Sequence, residues 1–363
     1  MVVNVFNLSG SHPKGNQSGT VMAMACMGNE NRFLDDILSH DFKEDSFNFT
    51  RLKNQLTCEQ DAFDMAASLQ KATEIKLTGI LQPFIASNTS KNVCYSGGVV
   101  LNSVFLGKLY HVFSNNIAHQ YVCPVPSDAG LCIGAAQMYW HHHKKNPPPL
   151  KNNSPYLGFY YNQTDVYNAI DQVKNEISIE STSEEDVLTH ISNAKIVALY
   201  GGKSESGRRA LGNRSIIADP RNPQMKDLIN DKVKHRQWYR PFAPAILEEA
   251  TSEWFERHVA SPYMSFVIPF KPFAKDKVPA VFHFDKTGRL QTVSKELHPW
   301  FHQFLTKWHS MSNVPILLNT SFNDREPIVE TPLHALTCFL GTNIDYLYFY
   351  DHKLLVQKIN PAP

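Results

Sequence analysis

The segment IVALYGGKSESGRRALGNRSIIADPR, residues 196–221, joins an apolar run to a glycine-rich basic loop. Its first five residues are apolar, partly β-branched and followed by two glycines, which is typical of a buried strand that ends in a turn. The strand would deliver four arginines and a lysine to its C-terminal end. Guanidinium groups match phosphate or carboxylate oxygens two at a time, and glycines let backbone N–H groups approach the same anion. The segment predicts an anion-binding site, although a solvated basic surface turn would read in the same way.

The composition indicates a globular chain without a strong overall charge. Its 363 residues suffice for two or three domains, and 42% apolar residues can form separate cores. There are 35 Lys and Arg residues against 34 Asp and Glu, for a net charge of +1. Nothing global therefore indicates a nucleic-acid or membrane-surface partner. An anion site must be a local concentration of cations, as occurs near residues 201–240.

The cysteines and the apolar runs predict a cytoplasmic protein. The six cysteines are scattered without a CxxC pair, and four lie in apolar segments where a thiol behaves as a small hydrophobe. No apolar run reaches the roughly 18 residues that span a bilayer. Residues 1–6 lack the basic start and cleavage pattern of a signal peptide. We expect a reducing environment and no membrane partner.

Glycine turns and one aspartate give the first half of the chain its candidate chemistry. Residues 59–85 carry apolar side chains at three- and four-residue spacing and predict a long amphipathic helix. A strand, a Gly97-Gly98 turn and a new helix follow over residues 92–102, and free N–H groups at a helix start can bind phosphate. A tight turn without a ligand explains the same residues. Asp128 suits either a metal or ribose ligand or a cap on the next helix.

A histidine, lysine and proline stretch over residues 141–149 predicts a domain boundary, because it breaks all hydrophobic periodicity. Before it, small residues at 134–136 indicate a helix. The three contiguous histidines at 141–143 do not share one helix face. We therefore interpret them as a solvated helix end rather than a metal site.

The second half of the chain mixes predicted helices and strands. The helices are residues 164–176, 184–193 and 223–233, and the strands are residues 196–200, 264–268, 315–319 and 346–350. Three clusters of polar residues lie between them, at 231–244, 283–293 and 317–327. The first contains Lys234 and Arg240 beside two prolines that fix the backbone. The third follows a strand and is rich in neutral hydrogen-bonding side chains, which suit a site that orients a nucleobase, sugar or carbonyl.

Six blocks of sequence, in this order, give the chain its resemblance to a known family. They are SGGVVLN at residues 96–102, PSDAG at 126–130, ESGRRALGNRS at 205–215, RPFAP at 240–244, QTV at 291–293 and NTSFN at 319–323. Together they resemble the O-carbamoyltransferase family of nodulation proteins and antibiotic-tailoring enzymes. The resemblance runs from about residue 15 to residue 358.

The resemblance implies an α/β fold, mixed α+β, in two domains. Residues 1–145 would be the C-terminal half of an actin/Hsp70-like carbamoyl-transfer domain, residues 146–155 a linker, and residues 156–363 an α/β domain like the threonylcarbamoyl-adenylate synthases. In such enzymes the C-terminal domain forms carbamoyl adenylate from carbamoyl phosphate and ATP, with Mg²⁺. The N-terminal domain then transfers the carbamoyl group to a hydroxyl of a small-molecule or sugar/nucleotide acceptor.

The resemblance also implies roles for individual residues. The basic positions that would contact carbamoyl phosphate and nucleotide, and spread the charge of several phosphates, are Arg209, Lys234, Arg240 and Arg289. The residues that would orient the anhydride or nucleotide are Arg214, Asn319, Ser321 and Asn323. The glycine turn that would receive the adenylate comprises Gly97, Gly98 and Asn102. Asp128 matches a metal-ligating aspartate.

The chain departs from the family pattern in its first domain. The family carries a helical pair of metal-binding histidines before the point where this chain begins, so a divalent transition-metal site at Asp128 would be incomplete. Thr20 stands where the family has a lysine. We expect carbamoyl-adenylate formation to persist and transfer to need a second polypeptide or another copy of the chain.

Two other interpretations remain open at this stage. One is a non-catalytic nucleotide- or RNA-binding module of the same descent, although the charge balance argues against nucleic acid. The other is a truncated gene product that aggregates through an exposed interface. The sequence names neither the acceptor nor the oligomeric state.

Overall fold

The structure is a computed structural model, and it describes residues 18–39, 52, 54–144 and 154–359. The predicted loop around residues 9–16 lies outside the described residues, as do the proline run and most of the predicted linker. The two predicted domain boundaries therefore stay predictions. Within the described residues, no helix is both long and apolar enough to cross a membrane.

The described residues form the following α-helices and strands, each numbered in chain order. The helices are α1 (Ser18–Met24), α2 (Leu34–Leu38), α3 (Glu59–Ala86), α4 (Ser103–Val112), α5 (Leu131–His143), α6 (Gln163–Val173), α7 (Glu184–Ser192), α8 (Met225–Lys232), α9 (Thr251–Trp254), α10 (Ala274–Lys277), α11 (Pro299–Ser312) and α12 (Pro332–Leu340). The strands are β1 (Asn92–Tyr95), β2 (His119–Val122), β3 (Ile177–Ser181), β4 (Val197–Tyr200), β5 (Arg214–Ala218), β6 (Ala243–Leu247), β7 (Phe266–Pro269), β8 (Thr287–Val293), β9 (Ile316–Ser321), β10 (Tyr346–Phe349) and β11 (Leu354–Lys358).

A nine-stranded mixed sheet organises the second half of the chain. Its order is β3-β11-β10-β4-β5-β9-β6-β8-β7. The β10–β4 and β6–β8 pairs are parallel, and the other neighbours are antiparallel. In the first half, β1 and β2 form a separate parallel pair. This architecture confirms the predicted mixed α/β fold.

Residues 196–221, for which the sequence predicts an anion-binding loop, contain a central strand of the sheet. Residues 214–218 form β5, which pairs with β4 on one side and β9 on the other. Adjacent side chains of a strand point to opposite faces, so Ile216 packs in one core and Ile217 in the other. Only residues 201–213 therefore form the loop, which places Arg214 inside the sheet.

The long helix predicted over residues 59–85 is confirmed as α3. At its start, the Asp61 carboxylate accepts hydrogen bonds from the backbone N–H groups of Thr57 (2.7 Å) and Cys58 (3.1 Å). Such bonds satisfy groups that lack partners within the helix. Arg32 pairs with both Asp61 and Asp64, which ties the preceding segment to α3.

The two halves of the chain share one hydrophobic core. Phe105 and Leu109 of α4 pack in the same cluster as Phe266 and Ile268 of β7. At Gly107 the helix comes so close to the strand that a Cβ would lie 2.0 Å from the Val267 carbonyl oxygen. This contact holds α4 over the edge of the large sheet.

We predict opposite effects for the same substitution at two helical glycines. Gly107→Ala should lower the free energy of unfolding by about 1–3 kcal/mol, since the added methyl group collides with backbone. Gly134→Ala on α5, where a Cβ meets no atom within 4 Å, should raise it by about 0.5–1 kcal/mol through helix propensity. Urea unfolding of both variants checks this. A stabilised Gly107→Ala protein would show that α4 does not pack on β7.

Candidate anion-binding site

A cavity of about 150 Å³ lies where the sheet meets the helices of the first half. Helices α1 and α4 contribute Gly19, Met22 and Ser103 to one wall. Other lining residues come from the segment just before β6, the first half of β8 and the end of β9. Because β6 pairs with both β8 and β9, these three segments are neighbours. The cavity therefore needs both halves of the chain.

Five arginines line this cavity, which we call the arginine cavity. Arg208 is exposed, and the other four are Arg209, Arg236, Arg240 and Arg289. Arg289 lies on β8, two residues after Thr287, which also lines the cavity. Arg240 lies three residues before the start of β6, and Arg209 lies in the loop before β5. Arg236 follows His235, whose positive φ of 43° turns the connection between α8 and β6. Each of the four side chains is partly buried.

The four guanidinium groups lack acidic partners. Among the described residues, the salt bridges involve other cations, although the Asp285 side chain also lines the cavity. Burial lowers the pKa of Arg209 to about 10, with further lowering by Arg240 and Arg208. Burial and neighbouring arginines also hold the pKa of Arg236 and Arg289 well below the usual range. A polyanion would relieve this repulsion.

Neutral acceptors orient the arginines without compensating their charge. The Arg240 Nη1 donates to Thr20 Oγ1 at 2.7 Å, and the Arg236 Nε donates to Asn230 Oδ1 at 2.8 Å. The Arg236 guanidinium also lies 4.7 Å from the centre of the Phe242 ring. Within the described residues, Arg236 Nη2 and Arg289 Nε are buried without hydrogen-bond partners.

Lys234, predicted as part of the phosphate clamp, does not line the arginine cavity. Its ammonium group is buried and donates to the Ser321 carbonyl (2.5 Å), the Asn323 carbonyl (2.5 Å) and Asn323 Oδ1 (2.8 Å). Burial, and to a smaller degree Arg236, holds its pKa well below the usual range. Lys234 thus fixes the end of β9. Of the residues it holds, Ser321 lines the cavity and Asn323 does not.

A buried pair of amides shapes the loop that carries Arg209. Asn319, predicted as a ligand, donates instead to Gln291 Oε1 (2.6 Å) and to the Ala210 carbonyl (3.2 Å). Gln291 donates to the Leu211 carbonyl at 2.9 Å. Neither amide lines the cavity. They act on it by holding the backbone next to Arg209.

Arg214, predicted to orient the nucleotide, is fully buried and also lies outside the cavity. The reason is that it begins β5. Its Nη1 donates to the carbonyls of Gly201 (2.6 Å) and Asn213 (3.0 Å), and its guanidinium stacks 3.7 Å from the centre of the Tyr200 ring. Nearby, Glu205 Oε1 accepts the backbone N–H groups of residues 211 and 213 at 2.7 and 2.9 Å. These contacts fix the base of the loop.

Arg236 and His283 are among the lining residues that sequence reasoning did not assign to the site. The His283 Nε2 lies 3.2 Å from the Phe242 carbonyl, and burial lowers the pKa of this histidine to about 4. Both residues belong to polar clusters that the sequence singled out. Their spacing alone could not show which members of those clusters face inward.

A second pocket of about 680 Å³ adjoins the arginine cavity. The structure brings three predicted residues together in its lining: Gly98, Asn102 and Asp128. Asn102 Oδ1 also accepts the Phe105 N–H and so caps α4 at 3.1 Å. Gly97, not itself in the lining, has a φ of 101°, and its N–H donates to the Pro126 carbonyl. This positive φ explains why a glycine is needed in the turn.

The two pockets share part of their walls. Arg209 and Arg240 line both of them, together with Gly19, Met22 and Arg208. A ligand group held by these two arginines would face the arginine cavity on one side and the second pocket on the other.

The described residues do not fit a metal ion at Asp128, since they contain no group of three His, Cys, Asp or Glu side chains placed to bind one. The chain has a His-x-x-x-His pair in His298 and His302, but these contact Asn213 and Glu249. The histidines at 141–143 are exposed in the last turn of α5, in agreement with the predicted solvated helix end.

The mixed sheet carries a candidate anion-binding site, formed by the arginine cavity and the pocket that shares part of its wall. Two family models match the same regions: carbamoyltransferase N-terminus over residues 22–137, and carbamoyltransferase C-terminus over residues 188–358. The chain belongs to the carbamoyltransferase family.

Curated relatives include nodulation proteins. Nodulation protein NolNO of Sinorhizobium fredii is 36% identical over 312 residues, which cover 83% of this chain and 45% of that protein. Nodulation protein NolO of Bradyrhizobium diazoefficiens is 35% identical, over 78% of this chain and 53% of that protein. An uncharacterised Synechocystis protein is 33% identical, over 87% of this chain and 56% of its own length. The chain thus spans about half the length of these relatives.

Among solved structures, a similarity is found to full-length HypF in a phosphate- and nucleotide-bound form. The TM-score is 0.32 and the identity 12%, over 51% of this chain and 22% of that chain. A similarity this slight supports no functional conclusion.

Replacement of the buried Lys234 and of the partly buried Arg289 by methionine should have different effects on stability. Lys234→Met should lower the free energy of unfolding by about 3 kcal/mol or more, because it leaves several buried acceptors unpaired. Arg289→Met should leave it unchanged or raise it, because it removes a repelled charge. Urea unfolding at low salt without phosphate measures both. If both variants lost the same free energy of unfolding, other groups of the protein would have to compensate the charge of Arg289.

His298 should make the protein acid-sensitive. Its Nδ1 accepts the Phe301 N–H, and burial lowers its pKa to about 4. Since the unfolded histidine binds a proton near pH 6.5 and the folded one does not, stability should fall as the pH drops from about 6.5 to 4. At pH 5 the loss from this residue should be about 2 kcal/mol.

The variant His298→Asn tests this account, because asparagine can still cap α11 but does not titrate. Unfolding free energies at pH 7 and pH 5 should differ less in the variant than in the wild type. An unchanged difference would rule out His298 as the source, and His283 would be examined next.

Proposed function

We propose that this carbamoyltransferase-family protein is an O-carbamoyltransferase that uses carbamoyl phosphate and ATP to form carbamoyl adenylate, and that the carbamoyl group then passes to a hydroxyl of an acceptor. The observation that supports this most is the set of four arginines without carboxylate partners, two of which also line the adjoining pocket. Both substrates carry several negative charges, which these arginines are placed to bind.

The first step forms the adenylate in the arginine cavity. Water cleaves carbamoyl phosphate into carbamate and inorganic phosphate, and a carbamate oxygen then attacks the α-phosphorus of ATP. The bond between the α-phosphorus and its bridging oxygen breaks, and pyrophosphate leaves. Fixed guanidinium groups stabilise the charge that develops on the phosphoryl oxygens. Arg236 Nη2 and Arg289 Nε have unused donors for this purpose.

The second step takes place in the second pocket. The acceptor hydroxyl oxygen attacks the carbamoyl carbon, the bond from that carbon to the AMP oxygen breaks, and AMP leaves. Asp128 is the carboxylate of this pocket and would accept the hydroxyl proton. Arg209 and Arg240 would hold the AMP phosphate from formation to transfer, since they line both pockets.

Described residues from both halves of the chain line the arginine cavity. Mg²⁺ would accompany ATP as a substrate complex. All six cysteines are free thiols, and we place the reaction in the reducing cytoplasm.

The purified protein should release pyrophosphate when given both carbamoyl phosphate and ATP. Arg209→Ala and Arg289→Met should each lower the rate by about 100-fold or more, the usual effect of removing a group that stabilises developing charge. Lys174→Ala is the control, since Lys174 is exposed at the C-terminal end of α6, pairs with Asp171 and does not line the arginine cavity. A coupled pyrophosphate assay gives the rates.

Equal pyrophosphate release by the wild type and Arg209→Ala would contradict the proposal. So would release that does not depend on carbamoyl phosphate. Tight, strongly salt-dependent binding of tRNA without pyrophosphate release would instead favour an RNA-binding module.

A further inference from the structure

The arginine cavity is rich in hydrogen-bond donors. A guanidinium group has five N–H donors and no acceptor, and several such groups line this cavity. Ionised phosphate oxygens suit this lining, because they only accept hydrogen bonds. A carbamoyl group suits it less well, because its amino nitrogen carries two N–H donors. A site that binds a carbamoyl group among arginines therefore needs an acceptor for the amino group.

The imidazole ring of His283 is an acceptor in the lining of the cavity. It lies in the turn that leads into β8. The His283 N–H donates to the Thr287 carbonyl at 3.0 Å, and the Lys286 N–H donates to the His283 carbonyl at 2.9 Å. These bonds close the turn, so they hold the histidine next to the strand that carries Arg289.

The surroundings of the ring determine which nitrogen carries the hydrogen. Nε2 lies 3.2 Å from the Phe242 carbonyl oxygen, which can only accept, so Nε2 is the donor. Burial lowers the pKa of His283 to about 4, and Arg289 and Lys226 add to this effect while Asp285 opposes it. The ring is therefore neutral at pH 7, and Nδ1 carries a lone pair instead of a hydrogen.

The described residues leave Nδ1 without a close donor. The Thr287 hydroxyl lies 3.5 Å from Nδ1, but its single hydrogen is directed to Asp285 Oδ1 at 2.6 Å. Asp285 is exposed and also accepts the Thr287 N–H at 3.2 Å. Since Nε2 is bound to a carbonyl, Nδ1 is the ring nitrogen that remains to accept a hydrogen bond from a ligand.

Hydroxyl groups in the lining select less strongly for an amino group. Those of Ser103, Thr320 and Ser321 can rotate to donate or to accept. A hydroxyl that faces a methyl group can still donate to a phosphate oxygen. The neutral His283 has no hydrogen on Nδ1 to donate, so beside a methyl group this acceptor would stay unpaired. An unpaired buried acceptor costs affinity.

We infer that His283 is a specificity-determining residue that recognises the amino group of carbamoyl phosphate: Nδ1 accepts an N–H of the carbamoyl group while the arginines bind the phosphate. This inference rests on the proposed use of carbamoyl phosphate. It assigns to one uncharged side chain the distinction between a carbamoyl group and an acetyl group, which have nearly the same shape.

Two stable analogues differ only in the group that Nδ1 would recognise. Phosphonoacetamide has an amino group where acetonylphosphonate has a methyl group. In calorimetric titrations the wild type should bind phosphonoacetamide about tenfold more tightly, the usual effect of one hydrogen bond. His283→Phe has a ring but no acceptor, and it should bind both analogues with the wild-type affinity for acetonylphosphonate. His283→Asn should keep most of the preference, since its Oδ1 can take the place of Nδ1.

His190→Phe is the matched control. His190 is also partly exposed, but it stacks on Tyr346 with 4.3 Å between the ring centres, and it does not line the cavity. This variant should keep the wild-type preference. Inorganic pyrophosphate is the reference ligand for the arginines, and every variant should bind it as the wild type does.

Nitrogen-15 NMR of the histidine-labelled wild type tests the same contact without relying on a substituted protein. The ring signals of His283, identified by their loss in His283→Asn, should show an Nδ1 without hydrogen. At saturation the Nδ1 signal should shift more with phosphonoacetamide than with acetonylphosphonate. A hydrogen on Nδ1 in the free protein, or equal shifts with both analogues, would overturn the inference.

The outcomes distinguish this inference from the proposed function. If the wild type binds both analogues equally, or if His283→Phe keeps the preference, the role of His283 is wrong, whereas pyrophosphate release from carbamoyl phosphate and ATP would still support adenylate formation. If the wild type binds neither analogue, the inference fails. The proposed function fails with it only if pyrophosphate release is absent as well.

Discussion

The candidate site holds several guanidinium groups together, and none of them forms a salt bridge with a carboxylate of the described residues. Two unit charges about 7 Å apart repel by about 2 kcal/mol at an effective dielectric constant near 20. Burial is the main cause of the lowered pKa of Arg209, Arg236, Arg240 and Arg289, and neighbouring arginines lower the pKa of Arg209, Arg236 and Arg289 further. We propose that a bound polyanion relieves this repulsion, which would couple stability to ligand affinity at this site.

A rigid neutral scaffold keeps the arginines in place against their repulsion. Asn319 and Gln291 hold the backbone beside Arg209, and Lys234 holds the end of β9 through carbonyl and amide oxygens. The first half of the chain takes part as well, since Thr20 on α1 accepts the Arg240 hydrogen bond. Acidic side chains in these positions would neutralise the arginines and compete with an anionic ligand.

Hydrophobic periodicity predicted the long helix α3, and the resemblance to the carbamoyltransferase family implied the mixed α/β fold. The sequence also predicted several residues that the structure brings together, among them Arg209, Arg240 and Arg289 in one cavity. It could not show that residues 214–218 form a strand in the sheet centre, which buries Arg214. Nor could it show that Lys234 meets carbonyls some 90 residues later in the chain. Which polar residues face the cavity depends on such distant contacts, and for the same reason Arg236 was missed.

The most direct test of the central claim is the stability of the wild-type protein as a function of inorganic pyrophosphate concentration. A ligand that binds the native state alone stabilises it by about 2.7 kcal/mol at 100 times its dissociation constant. The account predicts a rise in unfolding free energy that follows this relation, weakens with added salt and disappears in Arg236→Met. An unfolding free energy that does not change with pyrophosphate would contradict it.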